Sequence, residues 1–164
     1  MVQDSWIEQG IEAQGKWIPA EEYDNQQSIT RAHSLCVIGD LVCVLRNPHT
    51  GAPRLPGGTV ENGESPVQTL HREVKEEANL ELMDSTLLGV QRVQYGDTHP
   101  SYGKDQIYQA RYFSKIRRAD FVTEDPSGGF TYQRSFVPLD DFAEVIGWGD
   151  VAEELVRLAK QKSS

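Results

Sequence analysis

The sequence predicts a single α/β domain in which helices pack on a β-sheet. Three observations support this fold class. A run rich in Val, Leu and Ile surrounds a Gly-Asp turn at residues 30–46, as in a buried hairpin. A helix-start signal precedes an amphipathic stretch near the middle of the chain. Several apolar runs of strand-like composition then follow, separated by loops rich in Gly, Pro, Asp and Ser.

The first predicted element is the hairpin TRAHSLCVIGDLVCVLR, which has apolar residues on both faces and should be buried on much of each. Cys36 and Cys43 lie symmetrically about Gly39-Asp40, so a two-residue turn would place them opposite each other on neighbouring strands. A disulfide between them is one interpretation. Two reduced core thiols are favoured, because the chain is expected to be cytoplasmic.

A helix is predicted from about Pro66 to Ala78. Ser65 is suited to the N-cap, Pro66 to the first helical position, and Gln68 can complete a capping box. Asn79 stands where a left-handed residue would end the helix. The apolar positions that share the face expected to pack on the sheet are Val67, Leu70, Val74 and Ala78.

The segments on either side of these elements complete the predicted domain. Residues 1–28 show no sustained periodicity and are predicted to be an N-terminal extension, so the domain itself occupies residues 29–164. Gly and Pro content predicts loops at 47–58 and 94–105. The remaining predicted elements are strands at 87–95, 105–113 and 130–139 and an amphipathic helix at 150–160.

Net charge and hydropathy limit the kinds of molecule that the protein is expected to bind. The net charge of -9 argues against a broad surface that neutralises the phosphates of a long nucleic acid. The chain contains no apolar run near the roughly 20 residues that cross a bilayer, and it begins without a signal-peptide pattern, so we expect a cytoplasmic protein without a membrane partner. A small phosphorylated ligand remains compatible, provided that a cation held by carboxylates supplies positive charge.

The predicted central helix has an acidic flank formed by Glu73, Glu76 and Glu77. Positions three and four apart face the same way, so the three carboxylates fall within an arc of about 100°. Like charges at this spacing destabilise an isolated helix by a few tenths of a kcal/mol per pair unless solvent or a cation offsets them. Taken alone, the flank is more typical of a solvated face than of a metal site.

The residues around the acidic flank stand at fixed spacings. From Gly58 to Leu80 the sequence reads GTVENGESPVQTLHREVKEEANL, with Glu64 and Arg72 preceding the acids. This segment resembles the Nudix box, in which Gly, five residues, Glu, seven residues, Arg-Glu, an aliphatic residue, any residue, Glu-Glu, any residue, Gly and an aliphatic residue follow in order. One position departs from the pattern, because Asn79 replaces the final glycine, and Asn tolerates the left-handed conformation there.

The resemblance implies a fold, a reaction and a cofactor. The fold would be a Nudix-type α/β/α sandwich with a mixed central sheet. The reaction would be metal-dependent hydrolysis of a diphosphate bond in a nucleoside diphosphate-linked or nucleoside triphosphate-like substrate. Mg²⁺ would be the cofactor, with Mn²⁺ as a possible substitute. The expected partner is a small phosphorylated nucleotide-like substrate, and a homodimer through the extension or a sheet edge is a further expectation.

The same resemblance assigns roles within the box. It implies that Glu73, Glu76, Glu77 and the main-chain carbonyl of Gly57 ligate the metal. Arg72 would orient the carboxylates, since a planar guanidinium suits a bidentate hold on an acid.

The general base and the substrate contacts lie outside the box. The candidate bases are Glu124 and Asp125 in the segment DFVTEDPSGG, with Asp105 as a second choice and a box glutamate as a third option. A solvated turn is an equally good interpretation of the first two. For phosphate pairing or base stacking the candidates are Arg54, Tyr108, Arg111, Tyr112 and Arg134, although structural roles are favoured for each of them.

Two other functions compete with catalysis of diphosphate cleavage. A nucleotide-binding sensor or regulatory module could keep the fold and the pocket without turnover. The intact Arg-Glu and Glu-Glu pairs of the box favour the enzyme over this alternative. An isomerase on the same fold would need further acid and thiol chemistry, which the sequence does not supply in a recognisable arrangement.

Overall fold

The computed structural model describes residues 2–122 and 129–163. Within them, one sheet of nine strands is accompanied by three α-helices and two short 3-10 turns, and none of these helices is both long and apolar enough to cross a membrane. The strands are β1 (Gln3–Glu8), β2 (Ile11–Pro19), β3 (Arg31–Ile38), β4 (Leu41–Arg46), β5 (Pro53–Arg54), β6 (Gly57–Thr59), β7 (Leu80–His99), β8 (Lys104–Ala119) and β9 (Gln133–Pro138). The helices are α1 (Pro66–Ala78), α2 (Phe142–Ile146) and α3 (Asp150–Ser163).

The sheet is mixed, as predicted. Its strands follow the order β1-β2-β7-β8-β3-β4-β5, while β6 also pairs with β3 and β9 with β4. The pair β3–β8 is parallel and every other described pair is antiparallel. The parallel pair lies near the centre, where both of its faces are covered.

Helices cover the two faces of the sheet. In β3, Leu35 and Val37 point into a cluster with α2 and α3, whereas Cys36 points into a second cluster with α1. Leu70 and Val74 of α1 are fully buried in that second cluster. Each such side chain stabilises the fold by about 1.5–3 kcal/mol relative to an exposed one. The predicted α/β/α sandwich is therefore confirmed.

Helix α1 begins and ends at the predicted residues. The Ser65 hydroxyl accepts from the Gln68 amide at 3.1 Å, and the Gln68 side chain accepts from the Ser65 amide at 2.8 Å, which completes the capping box. Asn79 adopts φ 50° and ψ 47°, and its N–H bonds to the carbonyl of Lys75. The replacement of the usual glycine thus leaves the left-handed helix end intact.

The N-terminal segment differs from the prediction. Residues 1–28 showed no periodicity, yet β1 and β2 form a hairpin there, and β2 pairs with β7 along the sheet. The inward positions of β2 are Ala13, Gly15 and Trp17. Because two of these three residues are small, the alternation of hydrophobicity was too weak to indicate a strand.

Two predicted loops are shorter than expected. The segment 47–58 contains the short strand β5 and the start of β6. The segment 94–105 was predicted to be a loop, but β7 continues to His99 and β8 begins at Lys104, which leaves a turn of four residues. The polar residues of this segment continue the strand pairing, and composition alone gave no sign of that.

The two cysteines are free thiols buried between the sheet and α1. Burial raises the pKa of Cys36 well above its ordinary value and that of Cys43 to about 12. Both thiols therefore stay protonated at neutral pH and pack as small apolar groups. The favoured prediction of reduced core cysteines is confirmed.

Candidate active site

Arg72 is the centre of the hydrogen bonds that order the acidic flank of α1. Its Nε donates to Glu64 Oε2 at 2.8 Å and its Nη2 to Glu64 Oε1 at 2.9 Å, a bidentate pair. Its Nη1 donates to Glu73 Oε1 at 3.0 Å and lies 3.5 Å from Glu76 Oε2. One guanidinium thus bonds to Glu73, forms an ion pair with Glu76 and ties the preceding loop to the helix.

Glu64 is held as an anion by this arrangement. The hydrogen bonds from Arg72 lower its pKa from the ordinary 4.5 to about 2, helped by donors from the Glu61 amide and the Thr69 hydroxyl. A depressed pKa contributes stability that is complete above about pH 4.5 and is lost as the pH falls through about 2. The bidentate pair therefore persists throughout the neutral range.

Gly58 allows the Glu73 carboxylate to lie directly against the main chain. A Cβ at position 58 would stand 2.5 Å from Glu73 Oε1 and 2.6 Å from its carboxyl carbon. The first glycine of the box thus provides the space in which the first helical acid of the box rests.

Glu77 contacts the residue before Gly58 and is almost completely buried. Its Oε1 accepts from the Gly57 amide at 2.9 Å, and its Oε2 lies 3.1 Å from Nη2 of Arg54. The same Arg54 nitrogen donates to the Gly57 carbonyl at 2.7 Å. The carbonyl of Gly57 and the carboxylate of Glu77 therefore already share a cationic group.

The carboxylate and carbonyl oxygens of this region suit a hard cation, although the side chains do not converge on one point. Among residues 2–122 and 129–163, no three His, Cys, Asp or Glu side chains converge as a ready metal site. The candidate ligands are carboxylate and carbonyl oxygens, which Mg²⁺ and Mn²⁺ prefer. Glu76 Oε2 is buried without a hydrogen-bond partner in the described part of the chain, and the pair of Gly57 and Glu77 already binds positive charge. The donor types of these residues suit a divalent cation, and in this structure Arg54 supplies the positive charge beside Gly57 and Glu77.

The predicted substrate residues do not all meet at this site. Arg54 lies in it, and Arg111 lines an adjoining pocket. Arg134 instead donates to the carbonyls of Ala78 at 2.6 Å and Asp120 at 2.8 Å, so it stabilises the end of α1. Its predicted role in substrate contact has no support in this arrangement.

The aromatic candidates lie near a second pocket, which Tyr23 and Pro66 also line. Tyr108 packs against Tyr23, and Tyr112 lines a small pocket on that side. Asp105 is exposed near the start of β8 and is absent from the lining of the adjoining pocket. Glu124 and Asp125, the first choices for the base, lie outside the described residues.

The residues that surround Arg111 are not among the predicted site residues. A pocket of about 690 Å³ lies beside the box, and Asp4 and Trp6 of β1 line one wall of it. His33 and Trp148 contribute to other walls. Two features of the sequence could have indicated this pocket. They are Trp6 in the extension and Trp148 between the glycines at 147 and 149.

The fold and the box helix are those expected of the Nudix class of proteins. A family model described as NUDIX domain matches residues 29–158. The chain belongs to the Nudix family.

Solved structures of low sequence identity share the fold. A variant of the Bacillus subtilis pyrophosphohydrolase BsRppH is 17% identical with a TM-score of 0.68, and the match covers 97% of each chain. A Nudix hydrolase from Nitrosomonas europaea is 15% identical with a TM-score of 0.61, over 83% of this chain and 91% of that one. The Ap4A hydrolase of C. elegans is 17% identical with a TM-score of 0.55, over 84% and 100%. No curated protein matches the sequence.

Proposed function

We propose that the protein is a metal-dependent hydrolase that cleaves a diphosphate bond in a small nucleotide-like substrate, with Mg²⁺ as the preferred cation and Mn²⁺ as a substitute. The observation that supports this proposal best is the hold of Arg72 on Glu64 and Glu73, next to the shared cationic position of Gly57 and Glu77. Family membership alone would leave open whether the acids are still arranged for catalysis. Their arrangement favours an enzyme over a binding module.

Each box residue has a distinct part in the proposed reaction. Glu73, Glu76, Glu77 and the Gly57 carbonyl would hold the cation, which when bound offsets the charge of the diphosphate and lowers the pKa of the attacking water. Arg72 donates to Glu73 and so limits the orientations of that acid before substrate arrives.

The general base that removes a proton from the water is proposed to be Glu124 or Asp125. Replacing the true base by its amide, as Glu124→Gln or Asp125→Asn, should lower kcat by about 10²–10⁴-fold. It should also remove the acid limb of the kcat profile against pH. Asp97→Asn, at an exposed acid, is the matched control and should leave both unchanged. If neither amide variant changes the profile, the role passes to Asp105 or to a glutamate of the box.

Arg54 is expected to compete with the metal for the Gly57 carbonyl and Glu77. Removing its charge in Arg54→Gln should therefore tighten Mn²⁺ binding, on the order of tenfold, which corresponds to about 1.4 kcal/mol. Electron paramagnetic resonance of free Mn²⁺ during a titration measures the affinity without any turnover. Arg46→Gln, at an arginine that bonds only to the Gly51 carbonyl among the described contacts, is the control. Unchanged or weaker Mn²⁺ binding in Arg54→Gln would show that the guanidinium does not fill the cation position.

A turnover screen tests the function itself. Purified protein is mixed with oxidised nucleoside triphosphates, nucleotide sugars, ADP-ribose or dinucleoside polyphosphates, with Mg²⁺ or with a chelator. We expect phosphate-containing products from at least one class, and only when the divalent cation is present. If no class turns over while nucleotides still bind, the chain is a nucleotide-binding module and the enzyme proposal fails.

A further inference from the structure

A histidine of β3 stands on the wall between the box and the adjoining pocket of about 690 Å³. His33 lines this pocket, and it is the register partner of Gly57 in the pairing of β3 with β6. A Cβ added to Gly57 would stand 2.6 Å from the Cα of His33 and 2.7 Å from its Cδ2, the ring carbon bonded to Nε2. The imidazole therefore lies directly against the residue whose carbonyl we propose as a metal ligand.

The hydrogen bond from Arg111 fixes the tautomer of this imidazole. Arg111 Nη1 lies 3.0 Å from His33 Nδ1. A guanidinium can only donate, so Nδ1 accepts through its lone pair and the ring proton is on Nε2. The ring is therefore neutral and holds a donor at Nε2. Burial, together with the neighbouring arginines, also lowers the pKa of His33 well below its ordinary value.

The Nε2–H group of His33 is left for a ligand. The residue as a whole is only 6% exposed. Within residues 2–122 and 129–163, Nε2 makes no hydrogen bond, yet it is not sealed from solvent, so it is accessible from the pocket that His33 lines. A few polar groups held in fixed orientations are what small-molecule sites use to position a ligand.

Three arginines surround this donor with positive charge. Arg31, Arg54 and Arg111 line the pocket, and their charges help to lower the pKa of His33. In the described part of the chain neither Arg31 nor Arg111 forms an ion pair, and the Nε atoms of both are buried without an acceptor. Arg111 is only 5% exposed. A buried cation without an anion costs free energy that an entering anion would offset.

The two acids of the described lining are bonded to other groups. Asp4 accepts from Gln91 Nε2 at 3.0 Å, and Glu8 accepts from the Tyr95 hydroxyl at 2.8 Å. Three arginines against two acids leave this lining with a net positive charge, and neither acid is among the charges that shift the pKa of His33. An anionic oxygen is therefore the acceptor that suits the Nε2–H group best.

We propose that His33 donates its Nε2–H to a phosphate oxygen of the substrate, in a subsite that Arg31 and Arg111 complete at the junction of the pocket and the box. The inference rests on the proposed function for the diphosphate at the box, and it adds a phosphate contact from β3, outside the box. The neutral imidazole supplies a hydrogen bond of fixed direction, and the arginines supply the charge.

Two variants separate the roles of the two ring nitrogens. In His33→Asn, the short amide can still accept from Arg111 in place of Nδ1, but no donor remains at the position of Nε2. In His33→Gln, the longer amide can donate at the position of Nε2, while the acceptor for Arg111 is lost. A phosphate contact predicts that the asparagine variant is impaired and the glutamine variant is not. A role limited to holding Arg111 predicts the reverse.

Calorimetry with methylenediphosphonate, a diphosphate analogue whose bridge cannot be hydrolysed, measures the contact without turnover. Titrations are run with Mg²⁺ and with a chelator. His33→Asn should weaken binding by about tenfold or more, whereas His33→Gln should stay within about threefold of the unmodified protein. His49→Asn, at an exposed imidazole outside the pocket lining, is the control. The proposal is overturned if the unmodified protein binds in neither condition, if His33→Asn binds as tightly as it does, or if both His33 variants lose equally.

NMR of ¹⁵N-labelled, unmodified protein gives an answer that does not depend on the folding of a variant. The imidazole resonances of His33 should show the proton on Nε2, and methylenediphosphonate should shift Nε2 while Nδ1 keeps its bond from Arg111. A proton on Nδ1, or an Nε2 resonance that does not move at saturation, would contradict the proposed contact.

This inference and the proposed function can fail separately. If methylenediphosphonate shifts Nε2 of His33 while no substrate of the screen is hydrolysed, the phosphate contact stands and the enzyme is refuted. If His33→Asn hydrolyses its substrate with unchanged kcat and KM, the enzyme stands and the contact is refuted.

Discussion

Replacement of Glu77 by glutamine is expected to lower kcat for diphosphate hydrolysis by about 10²-fold or more, a loss comparable to the removal of one preorganised electrostatic group from an active site. The amide keeps the shape of the side chain, and its carbonyl oxygen can still accept from the Gly57 amide. It removes the negative charge that we propose for metal binding. Steady-state kinetics with saturating Mg²⁺ on the substrate found in the screen measures the change.

The control for this variant is Glu81→Gln, which removes an equal charge from an exposed side chain that pairs with Arg117 on the surface. Its activity should match that of the unmodified protein. If Glu77→Gln hydrolyses the substrate as fast as Glu81→Gln does, Glu77 has no part in catalysis.

Replacement of Gly57, the residue before the box, by alanine is expected to destabilise the fold by roughly 3 kcal/mol or more. Gly57 has φ +149°, and an added Cβ would stand 2.1 Å from the Ala32 carbonyl oxygen and 2.6 Å from the Cα of His33. Both are backbone atoms, so no rotation of a side chain relieves the overlap. Urea unfolding followed by circular dichroism measures the loss in the free energy of unfolding.

Gly63→Ala is the matched control for Gly57→Ala. Gly63 also has a positive φ, at +84°, but nothing lies within 4 Å of its added Cβ. Its cost should therefore be limited to the conformational strain of about 1–2 kcal/mol. Equal destabilisation by the two variants would show that the close packing of Gly57 on β3 is unimportant for stability.

The sequence was informative where the determining interactions are local. Helix α1 follows from the Ser65 cap, the apolar spacing of Leu70 and Val74, and the left-handed Asn79, all within one short segment. The box was recognisable for the same reason, since fixed spacings on a helix place Arg72 and its acids on one side. The fold class and the family then followed.

The adjoining pocket could not be predicted, because its partners are distant in the chain. Asp4 meets Gln91 across 87 residues, and Arg111 meets His33 across 78. Such pairs depend on sheet order and register, which composition and periodicity do not specify. The β1–β2 hairpin was missed because Gly15, which makes room for Asp4 and Gln91, also weakens the alternation that would have indicated a strand.

Hydrolysis in ¹⁸O-labelled water, followed by ³¹P NMR, tests the central claim that the box helix directs water onto a diphosphate phosphorus. With Mg²⁺ present, we predict one ¹⁸O atom per bond cleaved, bound to phosphorus in one product, and no product once a chelator is added. Products that form without ¹⁸O on phosphorus, or that form equally well with the chelator, would contradict metal-dependent attack on the diphosphate bond.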